Sequence, residues 1–252
     1  MPNKPKYKVA FFDVDGTLSD NELPRELGIY GRIPESAKRA LSKLKEAGIE
    51  PVIASGRNYE KIADFAQLLG VDSVISSNGT YVTFQGKLVA SHYLSTELVK
   101  TMIQQFQAKE TDFLLETPEE ILAYDPEKPL PENVLQFLCH CSKADLPELD
   151  TQQVIAEKVA PTALNIHYKH ISKASGIEEI LQNMGITSQQ ALAFGDEEND
   201  FAMFDKVGFP VAMGNGNEEL KAKACYVTDT VKNDGIWKAC VHLGLFPEEK
   251  TE

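Results

Sequence analysis

Four apolar residues, Val9 to Phe12, break off at two aspartates one residue apart and a glycine, in the stretch Lys8 to Leu18 that reads KVAFFDVDGTL. No other feature of the chain narrows its fold as much. The run is too short for the core of a helix and predicts a strand buried on both faces of a parallel sheet. In open α/β sheets, ligands bind in the crevice beyond the carboxyl ends of the strands, which is where Asp13 and Asp15 fall. Gly16 lets the chain turn there at low steric cost, so both carboxylates can face one crevice. Two carboxylates this close repel unless a cation lies between them, which points to a hard ion with oxygen ligands, Mg²⁺ foremost.

The order of strand, small polar turn and helix recurs. Pro34 opens a helix with Ala37, Ala40, Leu41 and Leu44 at helical spacing and Gly48 as its stop. A strand from Ile49 to Ala54 ends in Ser55-Gly56-Arg57, and Asn58 is placed to cap a helix carrying Ile62, Phe65, Ala66 and Leu69. Val74-Ile75 runs into Ser76-Ser77-Asn78-Gly79. After His170 the same grammar returns: a helix from Lys173 closed by Gly185, a strand Ala191 to Phe194 ending in Gly195-Asp196-Glu197-Glu198-Asn199-Asp200, strands at Phe209 to Met213 and Tyr226 to Thr228, and a closing helix from Asp234 to Leu243. This predicts an α/β fold with a doubly wound parallel sheet. The polar, Pro- and Gly-bearing stretch from Asp20 to Arg32 reads as a loop leaving the sheet edge and is a candidate flap beside Asp15.

Between Tyr81 and His170 the pattern changes. Tyr81 to Phe84 and Lys87 to Ala90 flank Gln85-Gly86 as a hairpin, and a helix from Thr96 carries Val99, Met102, Ile103 and Phe106. Phe113 to Leu115, Ile121 to Tyr124, Val134 to Cys141 and Ala163 to Tyr168 read as strands, and Val154 to Val159 as a short helix. The expected organisation is a core of residues 1–80 and 171–252 interrupted by an α+β insert at 81–170. Within the insert, His92, Glu116, His140, Lys143 and His167 are the polar residues able to face the crevice.

Charge narrows the partners. Lys and Arg number 25 against 38 Asp and Glu, a formal charge of −13 over 252 residues. Such a surface repels nucleic acid and anionic lipid, so a phosphorylated ligand has to be drawn in by a local cluster of cations and metal, and a small soluble molecule fits better than a polymer. The run Val9 to Phe12 is too short for a signal-peptide core or a membrane span, which places the chain in the cytoplasm as an expectation. Cys139, Cys141, Cys225 and Cys240 are expected reduced, since the C-H-C pair is badly placed to bridge and lacks two ligands of a zinc site. Nothing in the sequence speaks to oligomeric state.

Four polar clusters thus end separate strands or open a helix: Asp13 with Asp15, Ser55 with Gly56, Lys173, and Asp196 with Asn199 and Asp200. A cation, an amine and a hydroxyl around carboxylates are what metal-assisted phosphoryl transfer needs, because that chemistry depends on positioning and on cancelling charge on the phosphoryl oxygens. The motifs in their order, D-V-D-G-T-L, A-S-G-R, I-S-K-A-S-G and G-D-E-E-N-D-F-A-M, resemble the four signatures of the haloacid dehalogenase superfamily. The insert between the second and third, with SSNGT and AMGNG, is similar to the Cof-like sugar-phosphatase branch, whose α/β cap lies there.

The resemblance implies a Mg²⁺-dependent phosphatase working through an aspartyl phosphate on a small phosphorylated metabolite, a sugar phosphate foremost. Asp13 would be the nucleophile and a metal ligand, and Asp15 the general acid and base that also lends the metal its main-chain carbonyl. Asp196 would be the second metal carboxylate, with Asp200 helping through water or from behind. Ser55 and Gly56 would receive the phosphoryl group, Lys173 would bridge it to Asp13, and Asn78 and Asn199 would be supporting donors. Arg57 stands open between clamping substrate and pairing with a nearby carboxylate. A phosphomutase of the same superfamily and a non-catalytic binding protein on the same fold are the competing readings.

Overall fold

Two sheets organise the computed structural model, which describes residues 6–160 and 162–246. In chain order the strands are β1 (Val9–Phe12), β2 (Glu50–Ala54), β3 (Val74–Ser76), β4 (Tyr81–Phe84), β5 (Lys87–Ser91), β6 (Phe113–Glu116), β7 (Ile121–Ala123), β8 (Gln136–Cys139), β9 (Val154–Ala160), β10 (Ala163–Tyr168), β11 (Ala191–Gly195), β12 (Phe209–Ala212) and β13 (Tyr226–Val227). The helices are α1 (Gly28–Gly31), α2 (Glu35–Glu46), α3 (Tyr59–Leu68), α4 (Thr96–Ala108), α5 (Lys173–Met184), α6 (Phe201–Phe204), α7 (Glu218–Lys223) and α8 (Gly235–His242).

The large sheet runs β13-β12-β11-β1-β2-β3-β4-β5, parallel from β13 to β3 and antiparallel through β4 and β5. Alternation along β1 divides the core in two. Ala10 and Phe12 pack with α2, α3 and α8 through Leu41, Leu44, Ile62 and Ile236, while Val9 and Phe11 pack with α5, α6 and α7 through Ile177, Ile180, Met203 and Leu220. Both faces of β1 are therefore covered, which is why its sequence is apolar without a break. From β1 the chain order goes outward to β2 and β3 on one side and to β11, β12 and β13 on the other, so β1 and β11 flank the topological switch point, where ligands of such sheets bind.

The second sheet, β7-β6-β8-β10-β9, is antiparallel throughout. Helix α4 covers one of its faces, burying Met102, Ile103 and Phe106 against Phe137 and Ile166. The opposite face carries Glu116, Gln136 and His167, which the pairing register places in one row across β6, β8 and β10.

Three expectations change. The stretch from Val154, expected as a short helix, is the strand β9: Ala156, Glu157 and Lys158 favour a helix alone, but antiparallel pairing with β10 decides the state. The hairpin β4–β5 extends the large sheet through β3, so sheet membership moves the start of the insert from Tyr81 to beyond Ser91. The flap segment is not plain loop, since it holds a 3₁₀ turn at Arg25–Leu27 and the helical turn α1. Residues 1–5 and 247–252 of the expected core segments lie outside the described residues. No helix among the described residues is long and apolar enough to cross a membrane, and all four cysteines are free.

Candidate active site

The carboxyl ends of β1, β2, β3 and β11 deliver the polar residues to one place. Register pairs Phe12 with Ile53 on one side and Phe194 on the other, so Asp13, Ser55 and Asp196 leave the sheet side by side. Asp13 donates its main-chain N–H to the Phe194 carbonyl at 3.1 Å, which ties the first turn to β11. Lys173 is the first residue of α5, whose N-cap Ser172 accepts from the Ser175 amide. A lysine at a helix N-terminus opposes the helix dipole, and a buried carboxylate pair offsets that cost. Lys173 Nζ donates to Asp13 Oδ1 at 2.5 Å and to Asp200 Oδ1 at 3.1 Å.

Asp13, Asp196 and Asp200 are all buried, and one carboxylate oxygen of each lies within 4.8 Å of the others. Asp200 is fully engaged: besides Lys173 it accepts from the amides of Asp196 at 3.0 Å and Glu197 at 3.3 Å. It therefore orients Lys173 and the turn that carries Asp196. Asp196 is held from the other side by Thr17 Oγ1, which donates to its Oδ1 at 2.8 Å. Burial pushes the Asp13 carboxyl up to about 7 against the pull of Lys173, and pushes Asp196 up to about 8 with the charge of Asp13 adding. Burial also works against the Lys173 ammonium, but Asp13 and Asp200 more than offset it and its pKa lies above the usual lysine range.

Three buried carboxylates against one ammonium leave a deficit of two positive charges, which a divalent cation fits. Asp13 and Asp196 each have a free carboxylate oxygen to hold it, and a cavity of about 240 Å³ lined by Gly16, Asp20, Asp196 and Asn215 opens on the Asp196 side of the cluster, with Asp13 outside its lining. An all-oxygen, carboxylate-rich set suits a hard ion. Gly16 is part of this cradle: its φ is +95° and a Cβ there would stand 2.0 Å from Asp196 Oδ2. Gly16→Ala is expected to push Asp196 off Thr17 and weaken divalent-cation binding about tenfold or more, through displacement and roughly 1–3 kcal/mol of backbone strain. Titration calorimetry with Mg²⁺ checks it, and unchanged affinity would contradict the cradle.

The Asp15 carboxylate lies apart from the three. It is held by Arg57, Nε to Oδ2 at 3.0 Å and Nη2 to Oδ1 at 2.8 Å, so Arg57 pairs with a nearby carboxylate. Ser55 is buried; its Oγ accepts from the Arg57 amide at 3.2 Å, so its own hydrogen is left to donate. Asn78 sits at φ 58° with its amide donating to the Ser55 carbonyl at 3.3 Å, and its buried Nδ2 has no partner. Gly56 makes room for that side chain, since a Cβ there would lie 2.6 Å from Asn78 Oδ1. Asn199 is exposed on the turn after β11 and is not drawn into the cluster.

Among the insert's polar residues, Glu116 is buried and accepts from Ser77 Oγ and, at 2.8 Å, from Gln136 Nε2, bridging the two sheets. Asn58 Nδ2 donates to the Thr117 carbonyl at 2.8 Å beside it. His167 is buried with Nε2 3.3 Å from Glu157, His92 pairs with Glu179 at 2.6 Å on α5, and His140 and Lys143 are exposed. Thr17 and Arg32 are the site residues that sequence reasoning missed. Thr17 lies inside the quoted D-V-D-G-T-L and had a signal there, whereas Arg32 had none, because it reaches the site only from the far end of the flap segment.

The model of the haloacid dehalogenase-like hydrolases matches residues 10–138 and 138–240. The chain is 30% identical to YkrA of Bacillus subtilis (strain 168), over 94% of this chain and 98% of that one. It is 26% identical to the 5-amino-6-(5-phospho-D-ribitylamino)uracil phosphatase YcsE of the same organism, over 94% and 96%. Among solved structures, the subclass IIB sugar phosphatase BT4131 superposes with a TM-score of 0.76 at 27% identity, covering 95% of this chain and 100% of that one.

Proposed function

The chain belongs to the haloacid dehalogenase-like hydrolases, in their Cof-like phosphatase branch, and from that premise we propose that it hydrolyses a small phosphorylated metabolite, in the sugar-phosphate class, through an aspartyl phosphate on Asp13. What supports the reading most is the bridge of Lys173 to Asp13, 160 positions away, and to Asp200, at 2.5 and 3.1 Å, beside Asp196. Resemblance of the named relatives, YcsE and BT4131, supports the substrate class.

In this reading Lys173 steadies the Asp13 carboxylate through Oδ1, and of the two Asp13 oxygens one attacks phosphorus while the other would face the metal. The bond to the leaving oxygen breaks as Asp15, protonated, donates its proton to that oxygen. Asp15, now a carboxylate, takes a proton from water, whose oxygen attacks the same phosphorus, releasing inorganic phosphate and restoring the Asp13 carboxylate. Ser55 Oγ and the unpartnered Asn78 Nδ2 donate to the phosphoryl oxygens. Asp13, Asp196 and the Asp15 main-chain carbonyl would hold Mg²⁺, which supplies neutralisation of charge on those oxygens. The second sheet, from about residue 92 to 170, would act as the cap that selects the alcohol half.

Phosphate release across a panel of phosphorylated metabolites, with EDTA or Mg²⁺, tests the proposal. Turnover is expected only with the metal, and a flat response to every ester would sink it. Stability gives a second handle. A carboxylate whose folded pKa is raised binds its proton more tightly in the fold than in the unfolded chain, so stability falls as pH rises from about 4, the ordinary carboxylate value, through the folded values. For Asp13 and Asp196 those are about 7 and about 8. Melting in EDTA is therefore expected to drop between pH 4 and 8, as an order-of-magnitude window, and Mg²⁺ is expected to restore it at the alkaline end while adding little at the acid end. An equal Mg²⁺ effect at both ends would contradict the assignment.

A further inference from the structure

The second sheet reaches the large one at the turn after β3, beside the residues proposed to receive the phosphoryl group. Ser77 and Asn78 in that turn both hold left-handed main-chain conformations, with φ of 48° and 58°. A residue with a Cβ reaches that region only at a cost, and two in succession persist only where the surroundings over-determine them. The large sheet's own domain supplies part of the hold. The main-chain N–H of Ser77 donates to the Arg57 carbonyl at 2.9 Å and that of Asn78 to the Ser55 carbonyl at 3.3 Å. Gly79 lies so close to the start of α5 that a Cβ there would stand 2.0 Å from the Ser172 carbonyl oxygen.

A side chain of the second sheet supplies the rest. Ser77 Oγ donates to Glu116 Oε1 at the end of β6, and the other Glu116 oxygen accepts from Gln136 Nε2 on β8 at 2.8 Å. Ser77 and Gln136 are fully buried and Glu116 is 1% exposed, so water competes for none of these bonds. A carboxylate is costly to bury, and here its two oxygens are committed one to each sheet. Next to it Asn58 Nδ2 donates to the Thr117 carbonyl at 2.8 Å, and the Glu60 amide to the Pro118 carbonyl at 3.2 Å. The consequence falls on Asn78, whose buried Nδ2 has no partner and in the phosphatase reading donates to a phosphoryl oxygen. The turn sets the direction of that donor.

We propose that Glu116 is a positioning residue: by accepting from Ser77 it holds the Ser77-Asn78 turn in its left-handed form and aims Asn78 Nδ2 at the phosphoryl group. The second sheet then completes the site for the part common to every substrate, besides covering the alcohol half. The proposal rests on the phosphatase reading and adds to it a supporting residue from outside the large sheet. A donor fixed before the substrate arrives spends none of the binding energy on being ordered.

Inorganic phosphate is the probe, as an inhibitor of p-nitrophenyl phosphate and glucose 6-phosphate hydrolysis with Mg²⁺ present. Glu116→Ala is expected to weaken that inhibition about tenfold, the effect of one hydrogen bond to a charged group. KM for both esters is expected to rise by about the same factor with kcat changed less than about threefold, so the ratio of kcat/KM between them stays as in the parent. Ser77→Ala is expected to do the same, and the double variant no more than either single one, because all remove one contact. Glu116→Gln is expected to stay within about threefold of the parent. Its amide oxygen accepts from Ser77, and Gln136, whose Oε1 has no partner, can turn to accept from the new NH₂ group. Circular dichroism identifies a variant that fails to fold, and Ser77→Ala, which leaves Glu116 and Gln136 in place, carries the same prediction alone. Unchanged phosphate inhibition in either folded alanine variant would overturn the proposal, as would a Glu116→Gln variant impaired as much as Glu116→Ala. A shifted ratio between the two esters would also overturn it, by assigning Glu116 to the alcohol half. Failure of the parent protein to release phosphate from any ester would instead remove the phosphatase reading and this proposal with it.

Discussion

Asp13→Asn is expected to abolish phosphate release, by about a thousandfold or more, with the fold intact. The amide oxygen is a poor nucleophile and the amide nitrogen has no lone pair to offer phosphorus. Shape is kept, so the turn after β1 and its hydrogen bond from the Asp13 amide to Phe194 survive. Removing one of three buried carboxylates also relieves repulsion on Asp196, whose pKa the Asp13 charge helps raise. Without metal the variant is therefore expected to melt no lower than the parent. Full loss of turnover together with unchanged or higher melting in EDTA is the joint signature; a variant that keeps more than about a hundredth of the activity would assign the attack to another group.

Lys173→Met is expected to act with the opposite sign on stability. It removes the one ammonium bonded to Asp13 and Asp200 and leaves the cluster of three buried carboxylates without its internal counter-charge. Breaking a buried ion pair from one side costs about 3–5 kcal/mol. For a chain of this size that lowers melting by roughly 10 °C. Mg²⁺ is expected to return part of the loss, since a cation at Asp13 and Asp196 replaces some of the missing charge. Turnover falls as well, because the phosphoryl dianion then approaches Asp13 with no ammonium between them. Unchanged melting in EDTA would mean the three carboxylates are neutralised by protons alone, and the charge account of the site would fail.

Much of the core is legible in the amino-acid order alone. Short apolar runs ending in small polar turns, at Phe12-Asp13, Ala54-Ser55 and Phe194 to Asp196, are where the strands end and where the candidate site lies. The C-terminal half of the insert is less so, since Val154–Ala160 has helix-forming residues at its centre and becomes a strand only by pairing with β10. Asn199, adjacent to good site residues, points into solvent, because a 3₁₀ turn at Glu198–Asp200 buries Asp200 instead.

The sequence by itself placed Ser55 and Asp196 on the same edge as Asp13: a parallel sheet carries its strand ends to one edge, so the polar residues closing those apolar runs arrive there regardless of the loops between, while Lys173 comes in from the start of α5. Only the tertiary structure decided who answers Asp15. Arg32 and Arg57 reach it from the end of the segment after β1 and from the turn after β2, at separations that no periodicity encodes. Long, flexible side chains choose partners by distance in space, and that distance exists only once the sheet and that segment are packed together.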